Sequence, residues 1–404
     1  MTAYRTLAIP ALRAYLAEHP TLAGRIGPDP ASWQIAEVSD GNLNSVHLVS
    51  GSVGGVCVKQ SLPHVRVDPS WKMPLDRALY EARYMRETAP FVGDMMPALL
   101  HDDPALYLLV VESLAGHAVL RTALATGDAA PGFSGTIGRF VARSCFLGST
   151  LAAPFENMAR RLEKFSGNTA LTRITVDLVL TDPFGGSSRN RIDHPELEPL
   201  VGTLQSDPRL RAAAGALQER FLCAPQGLLH GDLHTGSIML RAGADRPDVR
   251  VIDGEFAHCG PIGFDCGLYL GNLALHAIAN PAASAMMQAE AALFLKTFET
   301  EFRRLWQDHV GQGDMHSLLT PGTLPDVMDR YLAGVRRDTA GFMGAEIIRR
   351  TIGFAHVSDY DLCPTTEARI AAMTRALRVG RALMLEAGTI KTDADFWHRV
   401  DAST

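Results

Sequence analysis

The sequence predicts an α+β chain in two lobes, a small β-rich lobe ahead of a larger, mainly helical one. Three observations carry that prediction. Strand-like segments crowd between residues 33 and 114, helical periodicity runs through most of the chain beyond Glu112, and 404 residues exceed one average domain. The lobes that follow span 1–113 and 114–404.

In chain order, residues 9–24 place Leu12, Tyr15, Leu16 and Leu22 on one face, which predicts an amphipathic helix ending near Gly24 or Gly27. Segments 46–49, 55–59 and 105–112 are rich in apolar and β-branched residues, with glycine, proline and acidic turns between them, and read as strands of one sheet. Pro74 stands where a helix over 74–88 can begin, with Leu75, Ala78, Leu79, Ala82 and Met85 as its apolar stripe. Helical segments follow near 134–150, 152–164, 208–222, 263–280, 282–307, 324–334, 341–358 and 365–388. The stretch 181–196, rich in Asp, Pro, Gly, Ser and Arg, reads as an exposed loop or a mobile flap over a substrate.

Composition excludes several classes. A chain that is 47% hydrophobic and 20% charged has the material for a substantial core and no signature of disorder. Net charge is −6 with no lysine or arginine block, so an anionic ligand needs a local site and nucleic acid is not expected as a partner. Cys57, Cys145, Cys223, Cys259, Cys266 and Cys363 form no CxxC pair, which supports reduced thiols over zinc or a disulfide framework. No apolar run approaches the roughly 18 residues of a membrane span, and a cytoplasmic protein is expected.

The densest chemistry lies in His230-Gly-Asp-Leu-His-Thr-Gly-Ser237 and Val251-Ile-Asp-Gly-Glu-Phe256. Asp232 follows an apolar run and sits in a polar loop, a setting for a carboxylate that accepts a hydroxyl proton while the hydroxyl attacks a γ-phosphate. Segments 237–241 and 249–253 read as a hairpin that returns Asp253 to the end of a small sheet where Asp232 stands. Asp253 and Glu255 lie two apart and share one side of an extended chain, offering hard oxygen ligands to Mg²⁺ on ATP phosphates; a metal-free acidic turn is the alternative. His230 reads as a buried imidazole bonded to loop backbone, and Ser237 stands where protein kinases carry a metal-binding asparagine.

In the small lobe, Asp40-Gly-Asn-Leu-Asn44 forms either a plain hairpin turn or one whose amides approach phosphate oxygens. Lys59 ends an apolar strand, as a solvated lysine or as an ammonium on the α- and β-phosphates with Glu81 as its ion-pair partner. Gly41, Asn42, Asn44, Lys59 and Glu112 are accordingly assigned to ATP. Asp265 reads as the N-cap of a long apolar helix, with bracing of the catalytic loop as a further role. Arg349 and Arg350 interrupt an apolar helix and need partners, either core carboxylates or a sugar hydroxyl and transferred phosphate.

With these motifs in order, the chain resembles the methylthioribose kinases, a family within the protein-kinase and aminoglycoside-phosphotransferase superfamily. The blocks are Asp40-Gly-Asn-Leu-Asn44, Val58-Lys-Gln-Ser-Leu-Pro-His-Val-Arg66, Ser70-Trp71 with Leu75-Asp-Arg77, the His-Gly-Asp loop, Asp253-Gly-Glu-Phe256 with Gly260-Pro-Ile-Gly-Phe-Asp265, and Gly344 to His356. The resemblance implies a bilobal protein-kinase-like fold, Asp232 as base, Asp253 and Glu255 on Mg²⁺, and Lys59 on ATP. It further implies that Arg349 and Arg350 join Asp232 at a sugar site, that the 1-hydroxyl of 5-methylthioribose is phosphorylated in methionine salvage, and that the protein is a homodimer. Gly254 departs from the family pattern, which has proline between the two acids. The competing readings are a kinase for another 5-modified pentose such as 5-deoxyribose, a non-catalytic nucleotide-binding pseudokinase, and an aminoglycoside- or choline-type phosphotransferase.

Overall fold

A computed structural model of the chain describes residues 4–38, 43–66, 68–243 and 246–402. The chain forms two compact units, Met1–His117 with Arg250–Phe256, and Ala118–Val249 with Ala257–Thr404. The class is α+β, with the larger sheet in the first unit and the long helices in the second. The strip that carries Asp253 and Glu255 clusters with the first unit, although in sequence it lies deep inside 114–404.

The first unit is built on a five-stranded antiparallel sheet in the order Gln34–Val38, Asn44–Ser50, Gly55–Ser61, Leu108–Glu112, Leu99–Asp103. Val49, Val56, Val58, Leu108 and Val110 are buried against Leu12, Leu16, Leu22, Ile26 and Trp33. Each such side chain contributes roughly 1.5–3 kcal/mol when removed from water. The helix expected over 9–24 is two helices, Ile9–Ala17 and Pro20–Ile26. The residue before a proline is pushed out of the α region, and His19 takes φ −108° and ψ 95°. The strand expected to start at 105 starts at Leu108, after Tyr107 turns with φ 48°. The next helix, Arg77–Val92, begins three residues beyond Pro74 and buries Glu81 and Tyr84 along with Ala78, Ala82 and Met85.

In the second unit the helix Gly263–Ala279 is buried along its whole length. It packs against Leu324–Ile352, one 29-residue helix where the sequence suggests two segments. Close approach explains the pairing. A Cβ on Gly267 would lie 2.7 Å from the Met343 backbone nitrogen, and one on Gly271 would lie 3.0 Å from Glu346 Cγ. Residues four apart share a helix face, so these glycines seat the two backbones together. A glycine inside a helix costs about 1 kcal/mol relative to alanine, and at Gly267 and Gly271 it permits this close approach.

The stretch 181–196 is not a free flap. Asp182–Gly185 is helical with Pro183 and Phe184 buried. Beyond it the Arg191 N–H donates to Ile352 O at 2.9 Å, His356 Nδ1 meets Asp193 Oδ2 at 3.0 Å, and the Arg191 guanidinium lies 4.7 Å from the Phe354 ring centroid. The segment is tied to the end of the arginine-bearing helix. The short strand Gly227–Leu229, which leads into the His-Gly-Asp loop, pairs with His258–Gly260. Ile238–Arg241, which leaves the loop, lies between Asp248–Val251 and Ala118–Val119. All six cysteines are free thiols. Among the described residues no helix is long and apolar enough to cross a membrane.

Candidate active site

The residues singled out in the sequence fall into two clusters, one in each unit. In the first unit, Lys59 projects from the strand Gly55–Ser61, with Nζ 2.9 Å from Glu81 Oε1 and 2.6 Å from Asp253 Oδ1. Glu255 is buried, and its Oε2 accepts from Asn44 Nδ2 at 3.1 Å with Arg77 Nε at 3.4 Å. Arg77 is itself fixed by the carbonyls of Pro74, Leu62 and Leu43. Three carboxylates thus face two cations.

Charge balance governs ionisation in this cluster. Burial would discharge Lys59, but Asp253, Glu81 and Glu255 more than offset it and hold the ammonium charged well above its ordinary value. Burial pushes the Glu81 carboxyl up to about 7, because Lys59 opposes the rise while Glu255 and Asp253 add to it. The two partners pull in different directions, since an ion pair should lower the acid. The ammonium has two acceptors within 2.9 Å, whereas Glu81 shares it with Asp253 and so gains less from the pair.

Gly41 and Asn42, assigned to ATP, lie outside the described residues, as does Asp40. Asn44 turns its amide to Glu255. Glu112 accepts the Ala98 N–H at 3.2 Å beside the sheet. Gly254 has a steric reason, since a Cβ there would sit 2.3 Å from Tyr84 Cδ1. Asp253 holds φ 67°, and its side chain is 45% exposed against 8% for that of Glu255. Asp253 is therefore the open oxygen donor and Glu255 the braced one. Among the described residues no three His, Cys, Asp or Glu side chains form a ready cation site. A surplus of hard carboxylate oxygen over cationic charge fits a hard divalent cation such as magnesium.

In the second unit, Asp265 organises the loop that holds Asp232. Its Oδ2 accepts the His230 N–H at 2.7 Å and its Oδ1 the Gly231 N–H at 3.0 Å. It lies inside the helix that starts at Gly263, so it does not cap that helix; it braces the loop. His230 is buried and its Nδ1 accepts the Asp232 N–H at 3.3 Å. The Ser237 hydroxyl donates to Asp232 O at 2.9 Å and is spent on the loop.

The Asp232 carboxylate is flanked on both oxygens, with His234 Nε2 3.4 Å from Oδ2 and Arg349 Nη2 3.5 Å from Oδ1. Burial would raise its pKa, but His234, Arg349 and Arg350 hold it well below the ordinary carboxylate range. Glu346, fully buried, answers the question of the arginines' partners: it pairs with Arg349 Nε and with Arg350 Nε, the latter at 2.9 Å. Against the desolvation penalty, the two guanidiniums bring Glu346 down to about 2. Asn272 Nδ2 donates to Glu346 Oε1 at 2.9 Å, and Asn272 Oδ1 accepts from Arg121 Nη2 at 3.1 Å. Arg121 Nε reaches Thr235 Oγ1 at 3.2 Å.

Sequence reasoning named Asp232, Arg349 and Arg350 but assigned no role to His234, Glu346, Arg121 or Asn272. For Glu346 a signal existed, since it precedes the arginines by three and four residues on one helix face. For Arg121 and Asn272, 151 residues apart, no local signal exists.

Residues 34–306 match the phosphotransferase enzyme family. The chain is 34% identical to a methylthioribose kinase of Escherichia coli O45:K1 (strain S88 / ExPEC), across 96% of this chain and 95% of the relative. It is 36% identical to a methylthioribose kinase of Geobacillus thermodenitrificans (strain NG80-2), across 93% of each. The chain belongs to the methylthioribose kinase family. A third relative, from Geobacillus sp. (strain WCH70), is 37% identical across 92% of this chain and 91% of its own. Such coverage takes in both clusters. The protein is a kinase, and ATP use follows from the family.

Proposed function

We propose that the protein phosphorylates the 1-hydroxyl of 5-methylthioribose with Mg-ATP, a step of methionine salvage. The observation that carries this reading is an ionised Asp232 flanked by Arg349, in a chain similar along nearly its full length to methylthioribose kinases. Lys59 binds the α- and β-phosphates, with Gly41, Asn42, Asn44 and Glu112 around the nucleotide. Asp253 and Glu255 hold Mg²⁺, which neutralises developing phosphate charge when bound. Arg349 and Arg350 bind the sugar and the moving phosphoryl group.

In the reaction the sugar oxygen forms a bond to the γ-phosphorus, the bond from that phosphorus to the β–γ bridging oxygen breaks, and ADP leaves with the electron pair. Asp232 takes the hydroxyl proton. A carboxylate this acidic is a weak base, which suits a loose transition state in which the acceptor loses its proton late. Its larger contribution is to orient the hydroxyl. The protein acts in the cytoplasm as a homodimer on this reading.

The test is ADP release from Mg-ATP with 5-methylthioribose and 5-deoxyribose side by side, using Asp232→Asn as the blank. Efficient turnover of the thioether sugar, lost about 10²-fold or more in the variant with ATP affinity retained, is the expected result. Preference for the deoxy sugar would reassign the substrate. Mg-ATP binding without turnover of either sugar would leave a pseudokinase.

A further inference from the structure

We infer that His234 is a positioning residue for Asp232, holding one carboxylate oxygen through Nε2–H while its other nitrogen accepts hydrogen bonds that fix the ring. This rests on the reading of Asp232 as proton acceptor. The tautomer follows from the donors. His234 Nδ1 receives the Gly236 N–H at 2.8 Å and faces Arg121 Nη2 at 3.3 Å, so it carries no proton. The proton of the neutral ring is therefore on Nε2, the nitrogen that faces Asp232 Oδ2. Burial, with Arg121 and Arg350, keeps the ring neutral by lowering its pKa to about 4, against the pull of Asp232.

The contact belongs to a closed circuit. From Asp232 it runs through His234, Arg121, Asn272, Glu346 and Arg349 and returns to the second oxygen of Asp232. The catalytic loop, the helix Leu120–Thr126, the helix Gly263–Ala279 and the helix Leu324–Ile352 each contribute. A carboxylate held on one oxygen by Arg349 alone can rotate about its side-chain torsions; held on both oxygens, it presents its remaining lone pairs in one direction. The charged groups that face this pair are Arg121, Arg349 and Arg350, with Asp265 beneath the loop.

Two substitutions separate positioning from loop structure. His234→Asn keeps a side-chain oxygen for the Gly236 N–H, because asparagine caps a residue two positions on in the same manner, but it has no group that reaches Asp232. His234→Gln extends its amide toward Asp232 and gives up the cap. The expected result for His234→Asn is a Tm and KM for ATP near those of the wild type, with kcat lower by about 10- to 100-fold, the scale of one hydrogen bond to a charged group. His234→Gln should recover part of kcat while lowering Tm. A His234→Asn enzyme with unchanged kcat would overturn the inference, as would kcat losses that track Tm across both variants. Asp232→Asn, measured alongside, separates the two levels: wild-type turnover there would remove Asp232 as acceptor, whereas an inactive Asp232→Asn with a normal His234→Asn removes only the role of His234.

Discussion

Glu81 and Glu346 are both buried carboxylates, 5% and 0% exposed, each beside a basic side chain that the sequence pointed to, and they ionise in opposite senses. Glu81 is pushed up to about 7 and Glu346 is brought down to about 2. Burial raises both, so burial is not what separates them. Glu81 shares one ammonium with Asp253 and stands near Glu255, whereas Glu346 pairs with two guanidiniums, of which Arg349 also faces Asp232. One cluster is short of positive charge and the other carries a surplus. On the proposed reading the first suits a metal cation and the second a phosphoryl group in transit.

Removing each glutamate is the strongest way to break that comparison. Glu346→Gln takes the nearest counter-charge from two buried guanidiniums, leaving Arg349 with Asp232 at 3.5 Å, and should destabilise the fold by about 3–5 kcal/mol. Glu81→Gln removes one of three crowded carboxylates and should cost about 1 kcal/mol. Thermal and denaturant unfolding of the two variants measures the gap; equal losses would mean that charge balance does not distinguish the clusters.

Acid titration sharpens the same point. Glu346 has a folded pKa below its ordinary 4.5, so its stabilisation is complete above that pH and is lost as pH falls through about 2. The stability difference between wild type and Glu346→Gln should shrink on the order of 3 kcal/mol across that window. Glu81 carries the opposite sign. Its raised pKa makes the folded state bind the proton more tightly, so stability falls as pH rises from about 4.5 through about 7, and Glu81→Gln should flatten that limb.

A further test concerns the residue between the two acids. Gly254→Pro would drive a ring into Tyr84 and would also disfavour the positive φ of the preceding Asp253. A loss of about 1–3 kcal/mol in stability is expected, together with weaker Mg-ATP binding. Measured in a Tyr84→Ala background, the cost of Gly254→Pro should shrink without vanishing, because the strain at Asp253 stays. Full tolerance of the single substitution would show that Tyr84 does not dictate the glycine.

The sequence by itself determined the α+β class, the strand that carries Lys59, the loop that carries Asp232 and the arginines on a helix, because each is written in local period, turn chemistry or motif spacing. Local sequence also held the break at Pro20 and the i, i+3, i+4 relation of Glu346 to its arginines. Tertiary structure alone decided the rest. It gave Lys59 a second partner in Asp253, 194 positions away, chose loop bracing over helix capping for Asp265, and joined Arg121 to Asn272. It also made one long helix of two predicted segments, since glycine against backbone yields contacts that no propensity within a single segment encodes. The physical reason is range: period and capping act over a few residues, whereas the ionisation of a buried group depends on every charge the fold brings near it.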